Sequence, residues 1–341
     1  MRRRGRILLL VLRRLRFVIV QMLAAAAASF FLIRLIPGDP ARVLAGVAAS
    51  PETIQAIREH LGLDKALPLQ FGIYLQNAFQ GDLGDSLSTG QSVFKDLYTR
   101  APATLELTTL ALIVSFAIGL PLGLALARRK RGLLRSGVFG YSMLSGAIPD
   151  FWLALILIYA FATKLGIAPA PVGRLGFNSA PPHLTGFYVI DSIAAGQWHL
   201  LGLALSHLAL PVFTLVLVYS GLIVKVAGVA AAQADRSGFM DLFESAGVGR
   251  RLARRRATRL ALPPVFTITG ILYGYLLGGT VLVEQIFSWG GLGQYLVQAI
   301  KGADYAAVQG FVLLAVTFNV VVYLLVDVLL YALDPRLGRR Q

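Results

Sequence analysis

Phe239-Met240-Asp241-Leu242-Phe243-Glu244-Ser245-Ala246-Gly247-Val248-Gly249 runs directly into Arg250-Arg251-Leu252-Ala253-Arg254-Arg255-Arg256-Ala257-Thr258-Arg259-Leu260-Ala261-Leu262-Pro263-Pro264-Val265, and the whole stretch separates two long apolar segments. On a helical wheel Phe239, Leu242, Phe243 and Ala246 share one face, with Asp241, Glu244 and Ser245 opposite. A helix this short is not stable alone and needs a surface on which to bury its aromatic face. The membrane interface is one such surface. The acids on the polar face are disfavoured near anionic lipid, which points instead to a protein. Gly247 and Gly249 allow a turn, and a helix opened by six arginines then enters apolar sequence near Leu262.

Across the whole chain, the 341 residues are 56% hydrophobic and only 14% charged, with a mean hydropathy of +0.69. A soluble domain carries about 25% charged residues. The deficit lies in six apolar runs: Phe17–Ile36, Ala103–Ala127, Gly137–Thr163, Leu200–Val224, Leu260–Val283 and Ala306–Leu333. A helix needs roughly 20 such residues to cross a bilayer, and in lipid the backbone must satisfy its own hydrogen bonds, so each run is expected to be a membrane helix. The first run is longer than a usual signal core and is read as a span, not a cleaved leader.

The excess of 15 positive charges is clustered. Seven arginines lie at positions 2–16, five basic residues at 128–135, seven arginines at 236–259 and three at 336–340. These are alternate loops, so both termini and both arginine-rich connections are expected in the cytoplasm. The 37–102 loop carries seven acids and five bases, as expected of the other side. The topological rule accounts for every basic cluster, so nucleic acid is not an expected partner. With no cysteine, disulfides, thiolate metal sites and cysteine catalysis are excluded.

The 37–102 loop reads as folded. Ser50-Pro51-Glu52 is a helix start, with a stop at Gly62, and a second helix is expected from Pro68 to Gln80 with Gly81 as its stop. Residues 164–199 form a second outer loop, and 284–305, with Trp289-Gly290-Gly291, a third that dips back toward the membrane. Pro149-Asp150 splits the third run and Pro211 lies within the fourth, each the site of a packing kink or a hinge. Gly274 and Gly278 have the spacing that lets two helices approach closely.

Further motifs stand in order along the chain. They are Leu35-Ile36-Pro37-Gly38-Asp39-Pro40, Leu61-Gly62-Leu63-Asp64, Leu67-Pro68-Leu69-Gln70, and Gly81-Asp82-Leu83-Gly84 with Ser86. Pro102-Ala103-Thr104-Leu105-Glu106-Leu107 opens the second run and Gly119-Leu120-Pro121-Leu122-Gly123 closes it. Then come Ile148-Pro149 with Phe151-Trp152, Glu284, Phe287, Gly291-Leu292-Gly293, Asp304-Tyr305 and Leu333-Asp334-Pro335-Arg336. In this order the chain resembles the permease subunits of binding-protein-dependent ABC importers of the dipeptide/oligopeptide/nickel type, over nearly its whole length.

The resemblance implies an all-α integral membrane protein of the bacterial inner membrane with the type I ABC-importer permease fold. It has six transmembrane helices, both ends inside and a large periplasmic loop after the first helix. The divisions are a basic N-terminus and first helix (1–36), the loop with short helices (37–102), a five-helix core (103–335) containing the coupling segment 236–259, and a basic tail (336–341). Implied partners are a second homologous permease, two ATP-binding subunits, a periplasmic solute-binding protein and the lipid bilayer. The implied role is ATP-driven import of dipeptides, oligopeptides or a related small solute, with cargo selection mostly in the binding protein. The chain itself is expected to be no enzyme and to hold no cofactor or metal; it has no G-x-x-x-x-G-K-[ST] loop.

In such importers the loop before the fifth helix carries a glycine-centred "EAA" signature whose short helix fits a groove on the ATPase. Gly247 matches its glycine, and Arg255, Ala257, Arg259, Ala261, Leu262 and Pro264 match the later part of the signature. The expected coupling residues are therefore Phe239, Asp241, Leu242, Phe243, Glu244, Ala246, Gly247, Val248 and Gly249. Leu242, Phe243 and Glu244 stand where small or basic residues are usual, and the linker after Gly247 is one residue short. This implies an ATPase with a matching groove, or a partner permease that carries the more regular contact.

Charged groups within apolar runs are costly to place and by default signal function. Arg34, Glu106 and Glu284 lie near run ends and are expected to be structural; Asp150 and Asp327 lie deeper, and Asp327 either serves function or caps or pairs within the cytoplasmic half of its helix. His207, Thr267, Tyr273, Tyr275 and Asn319 either line a pathway or pack between helices. The rival architectures are an ion-coupled carrier using Asp150 or Asp327, and a membrane-embedded enzyme, for which the chain lacks H-E-x-x-H and G-x-S-x-G.

Overall fold

The computed structural model describes residues 18–31, 34, 41, 45, 49–60, 64–128, 132–247 and 249–333. Among these the regular structure is all helical, apart from one isolated bridge between Asp85 and Ser92. The helices are α1 (Val18–Phe31), α2 (Pro51–His60), α3 (Leu67–Phe79), α4 (Val93–Arg128), α5 (Leu133–Leu144), α6 (Asp150–Leu157), α7 (Tyr188–Ala194), α8 (Trp198–Asp235), α9 (Gly238–Ser245), α10 (Arg250–Gly279), α11 (Val281–Phe287), α12 (Leu292–Lys301) and α13 (Tyr305–Leu333). Four of them, α4, α8, α10 and α13, are long and apolar enough to cross a membrane.

The six expected runs fare differently. The second and fourth lie in helices of 36 and 38 residues that overshoot the apolar stretch by about three turns at one end. Pro211 lies inside α8 without ending it. Of the first run, Val18–Phe31 and Arg34 are described as helix; the motif at 35–40 and the stop at Gly62 lie outside the described residues. The third run is not one rod. Residues Arg135–Ala147 and Asp150–Lys164 meet at 109°. Proline has no N–H to continue the ladder and pushes its predecessor out of the helical region; Ile148 is extended at φ −88°, ψ 123°. The fifth run, expected to reach Val283, ends at Gly279, and α11 starts anew after Thr280.

By its internal contacts the chain divides into two compact units, Met1–Thr104 with Gly290–Val320 and Leu105–Trp289 with Val321–Gln341. In the first, Val93 and Leu97 of α4, Leu292, Tyr295 and Ala299 of α12, and Ala307 and Phe311 of α13 form one apolar core. Two motifs far apart in sequence meet beside it. Ser86 Oγ and Ser88 Oγ donate to Asp304 Oδ2 at 2.6 and 2.9 Å, while Asp304 Oδ1 caps α13 by accepting from the Ala307 N–H at 3.1 Å. Thr104 Oγ1 likewise accepts the Leu292 N–H at 2.8 Å. Arg34 lies over the Phe30 ring and donates to Gln70 Oε1 at 3.0 Å, so it is held by α3. As expected, α3 stops at Gly81, which has φ +81°. Along the chain, the 284–305 segment holds the end of α11, the buried Trp289 and the whole of α12.

In the second unit α8 is the central post. Ala230 and Ala231 pack on Ala261 of α10, with Leu124 and Ala127 of α4 beside them. Gly119 and Gly123 are among the glycines that admit a close helix approach. A Cβ at Gly123 would fall 2.6 Å from both the Ala227 Cβ and the Val224 carbonyl of α8. Gly278 is not such a contact, because a Cβ there meets nothing within 4 Å. Small-residue spacing at 274/278 does not reveal which helix face carries the neighbour.

Candidate functional site

The arginine-flanked stretch folds as a short helix, a glycine turn and a long helix. Ser237 Oγ donates to the Ala234 carbonyl at 2.7 Å and the Met240 N–H to Ser237 O at 2.8 Å, turning the chain out of α8 into α9. The last turn of α9 closes with the Ala246 N–H on Leu242 O at 3.0 Å. Gly247 then takes φ +70°, a left-handed conformation that costs L-residues with a Cβ roughly 1–2 kcal/mol. Gly249, extended at φ −56°, ψ 135°, precedes α10, which runs unbroken through Pro263 and Pro264 to Gly279.

Leu242 of α9 is 65% exposed, Phe243 is half-buried, and Ala246 just beyond the helix is exposed. The side chains of Phe239, Asp241 and Glu244 and the whole of Val248 lie outside the described set. Ser245, Gly247 and Gly249 also stand in the open. On α10 the four-residue repeat Ala253, Ala257, Ala261, Val265 is buried, with Arg251, Arg254, Arg255, Arg256 and Arg259 exposed around it. Small residues every fourth position let α10 lie close on α8, and this explains why Ala257 and Ala261 sit among arginines. Arg128 ties the same end of three helices together, donating to Thr258 Oγ1 at 2.7 Å and facing Asp235 at 3.9 Å.

Further along α10, Leu260, Pro264, Thr267, Ile271, Tyr275 and Gly278 are all exposed, at the spacing of one helix face. Beside it lies the break in the third run. Asp150 Oδ1 accepts its neighbour Phe151 N–H at 2.7 Å, and Oδ2 accepts the Tyr219 hydroxyl of α8 at 3.0 Å. The Tyr219 and Tyr275 rings are 6.1 Å apart. Tyr273, Asn319 and His207 each have a partner of their own. Tyr273 hydrogen-bonds Thr109 of α4, Asn319 donates to the Ala315 carbonyl at 2.9 Å, and His207 lies against Gly176.

Glu106 and Arg174 make a clasp that no local sequence pattern announces. Arg174 Nη2 meets Glu106 Oε2 at 2.5 Å with side chains only 10% and 4% exposed, and its guanidinium lies 3.4 Å over the Tyr188 ring. Glu106 Oε1 accepts the Val189 N–H at 2.8 Å, so α7 and the 164–199 connection are fixed to α4. Asp191 locks the turn before α7, accepting from Thr185 N–H and Oγ at 2.8 and 2.6 Å and from Gly186 N–H at 2.9 Å. Burial opposes its charge, but these donations outweigh that and hold the carboxyl below its ordinary value. A depressed carboxyl stabilises the fold above its unfolded pKa of about 3.9 and ceases to as pH falls through the folded value. Hydrogen-exchange protection of the Thr185 and Gly186 amides should therefore be level from about pH 5 to 8, by this linkage, and decline below about pH 4. Asp191→Asn should lack that acid limb.

Residues 7–108 match the N-terminal membrane component of binding-protein-dependent transport systems, and 119–339 match the inner membrane component of the same systems. The chain is 38% identical to the probable D,D-dipeptide transport system permease of Escherichia coli K12, across 91% of this chain and 92% of that protein. It is 36% identical to the di/tripeptide transport permease of Pseudomonas aeruginosa, over 97% and 99% of the two. It is 34% identical to the dipeptide transport permease of Alkalihalophilus pseudofirmus, over 96% and 98%. The inner membrane component match takes in α9, α10, Asp150, Tyr219 and Tyr275. The chain belongs to the binding-protein-dependent transport inner membrane component family: it is a permease subunit of an ABC importer, a component of the inner membrane and not itself an enzyme.

Proposed function

We propose that the chain imports short peptides as one of two unlike permease subunits, driven by two ATP-binding subunits and fed by a periplasmic binding protein. The relatives' peptide cargo supports the substrate class. Six crossings result if α1 with its flanks, the bent α5/α6 pair, α4, α8, α10 and α13 each traverse once, and the arginine clusters then put both ends inside. The observation that carries the reading is the exposed α9, hinged at Gly247 onto α10. An ATPase groove that buries Leu242 and Phe243 and moves on nucleotide binding pushes α9 as a lever, and the rigid α10 transmits the push into the membrane. Phe239, Asp241, Glu244, Ala246, Val248 and Gly249 complete the coupling surface.

The test is uptake of labelled dialanine by proteoliposomes holding the full importer with its binding protein. Import should require enclosed ATP and an intact ATPase. Import by this chain alone on an ion gradient would overturn the reading. Because the chain has no cysteine, Ser245→Cys gives a clean topology reporter: a membrane-impermeant thiol reagent should reach it only from the cytoplasm.

A further inference from the structure

The bend in the third run leaves a carboxylate, Asp150, inside apolar sequence. Among the described residues no lysine, arginine or histidine pairs with Asp150. Its oxygens accept one bond each, from Phe151 N–H and the Tyr219 hydroxyl. A carboxylate accepts about four hydrogen bonds in all, so about two positions remain open. Asp150 is partly exposed, Tyr275 is 62% exposed and the neighbouring Trp152 is 51% exposed, so the open positions lie at an aromatic surface. An ion turned toward hydrocarbon is costly, and such groups face a bundle interior or a water-filled cavity. The α10 face carrying Tyr275 also exposes Thr267 and Pro264, a surface suited to water or protein.

The geometry points to Asp150, Tyr219 and Tyr275 as a subsite for the ammonium group of the cargo, which in the peptide-import reading above is the free amino terminus of the passing peptide. An ammonium supplies three donors to a carboxylate with two vacant acceptor positions. The faces of tyrosine rings attract cations, more strongly where water is scarce. Tyr219, only 8% exposed, fixes Asp150 by its hydroxyl hydrogen bond, while Tyr275 stands open to the cargo. The same charge repels the peptide's carboxylate, so the peptide meets this point amine first.

The test has one arm that needs no cargo. Since the chain lacks cysteine, Tyr275→Cys, and Gly278→Cys where a Cβ enters open space, serve as single reporters in the assembled importer. Each is reacted with cationic and with anionic methanethiosulfonates. The cationic reagent should react about tenfold faster, as field focusing in a charged cleft allows, and Asp150→Asn should bring the two rates near parity. In the second arm, Asp150→Asn should lower dialanine uptake about tenfold while ATP hydrolysis stimulated by the loaded binding protein is retained, and Asp150→Glu should restore much of the uptake. Reporters that react with neither reagent, a rate ratio indifferent to Asp150→Asn, or undiminished uptake by that variant would each overturn the subsite. If the rate ratio behaves as expected but wild type does not import dialanine, the peptide reading fails and the cation subsite stands.

Discussion

Gly247→Val is expected to cut ATP-driven uptake by about tenfold or more in an importer that still assembles. Gly247 sits at φ +70°, where a β-branched residue is a genuine outlier. A Cβ at this position meets nothing within 4 Å, so the chain has no packing reason to reject a side chain. The cost inside the permease is backbone strain of roughly 1–2 kcal/mol, confined to one turn. Relieving it means rotating Gly247 back to negative φ, which swings α9 away from the direction in which Leu242 is presented. The membrane helices, held by the alanine face of α10 against α8, are untouched. Expression and co-purification with the other permease should stay near normal, while binding-protein-stimulated ATP hydrolysis and uptake fall together. Gly247→Ala should fall between. Normal uptake by the valine variant would mean that α9 is not the moving contact.

Arg174→Ala or Glu106→Gln is expected to cost about 3–5 kcal/mol, the usual penalty for stranding one partner of a buried ion pair. The pair is nearly dry, at 10% and 4% side-chain exposure, so solvent does not screen the remaining charge. Glu106 also accepts the Val189 N–H, and Arg174 also donates to Gly186 O at 3.0 Å. Either single change therefore loosens the hold of α4 on the 164–199 connection. Thermal melting in detergent should shift down, and protease nicking should appear between 164 and 199. The double variant Glu106→Gln with Arg174→Met leaves no buried charge and should recover part of the loss. A melting point unchanged in both single variants would show that the clasp does not hold the connection.

Much of the fold arises from local rules. Runs of 20 or more apolar residues must be helical in lipid, and Pro149, Gly81 and Gly247 mark breaks because their backbones favour conformations outside the helix. The helix at 238–245 is visible from its periodicity, and the arginine block from its composition. The third run misleads in degree. Its apolar count suggests one rod with a kink, but a chain that loses an N–H and is forced extended just before it can turn by 109° when packing favours that. The fifth run misleads at its end, because hydropathy does not register that Thr280 restarts the helix.

The residues of the candidate site are legible as types, but not as a constellation. Asp150 stands out by its charge, whereas Tyr275 is one of several polar residues of equal standing. That Tyr219 of α8 hydrogen-bonds one and lies near the ring of the other has no signature in spacing, since the three are on different helices. Glu106 and Arg174 are 68 residues apart, and Ser86 and Asp304 are 218 apart. Nothing local announces either pair.

Hydropathy, charge and backbone freedom are properties of short stretches, and they are enough to make this a helical membrane protein with a glycine-hinged, arginine-backed amphipathic segment. Three other outcomes emerge only in the folded molecule: which glycines bring helices together, which carboxylate is clasped by an arginine, and which accepts a tyrosine hydroxyl. They depend on how long helices rotate and cross, and that is set by packing between segments far apart in the chain.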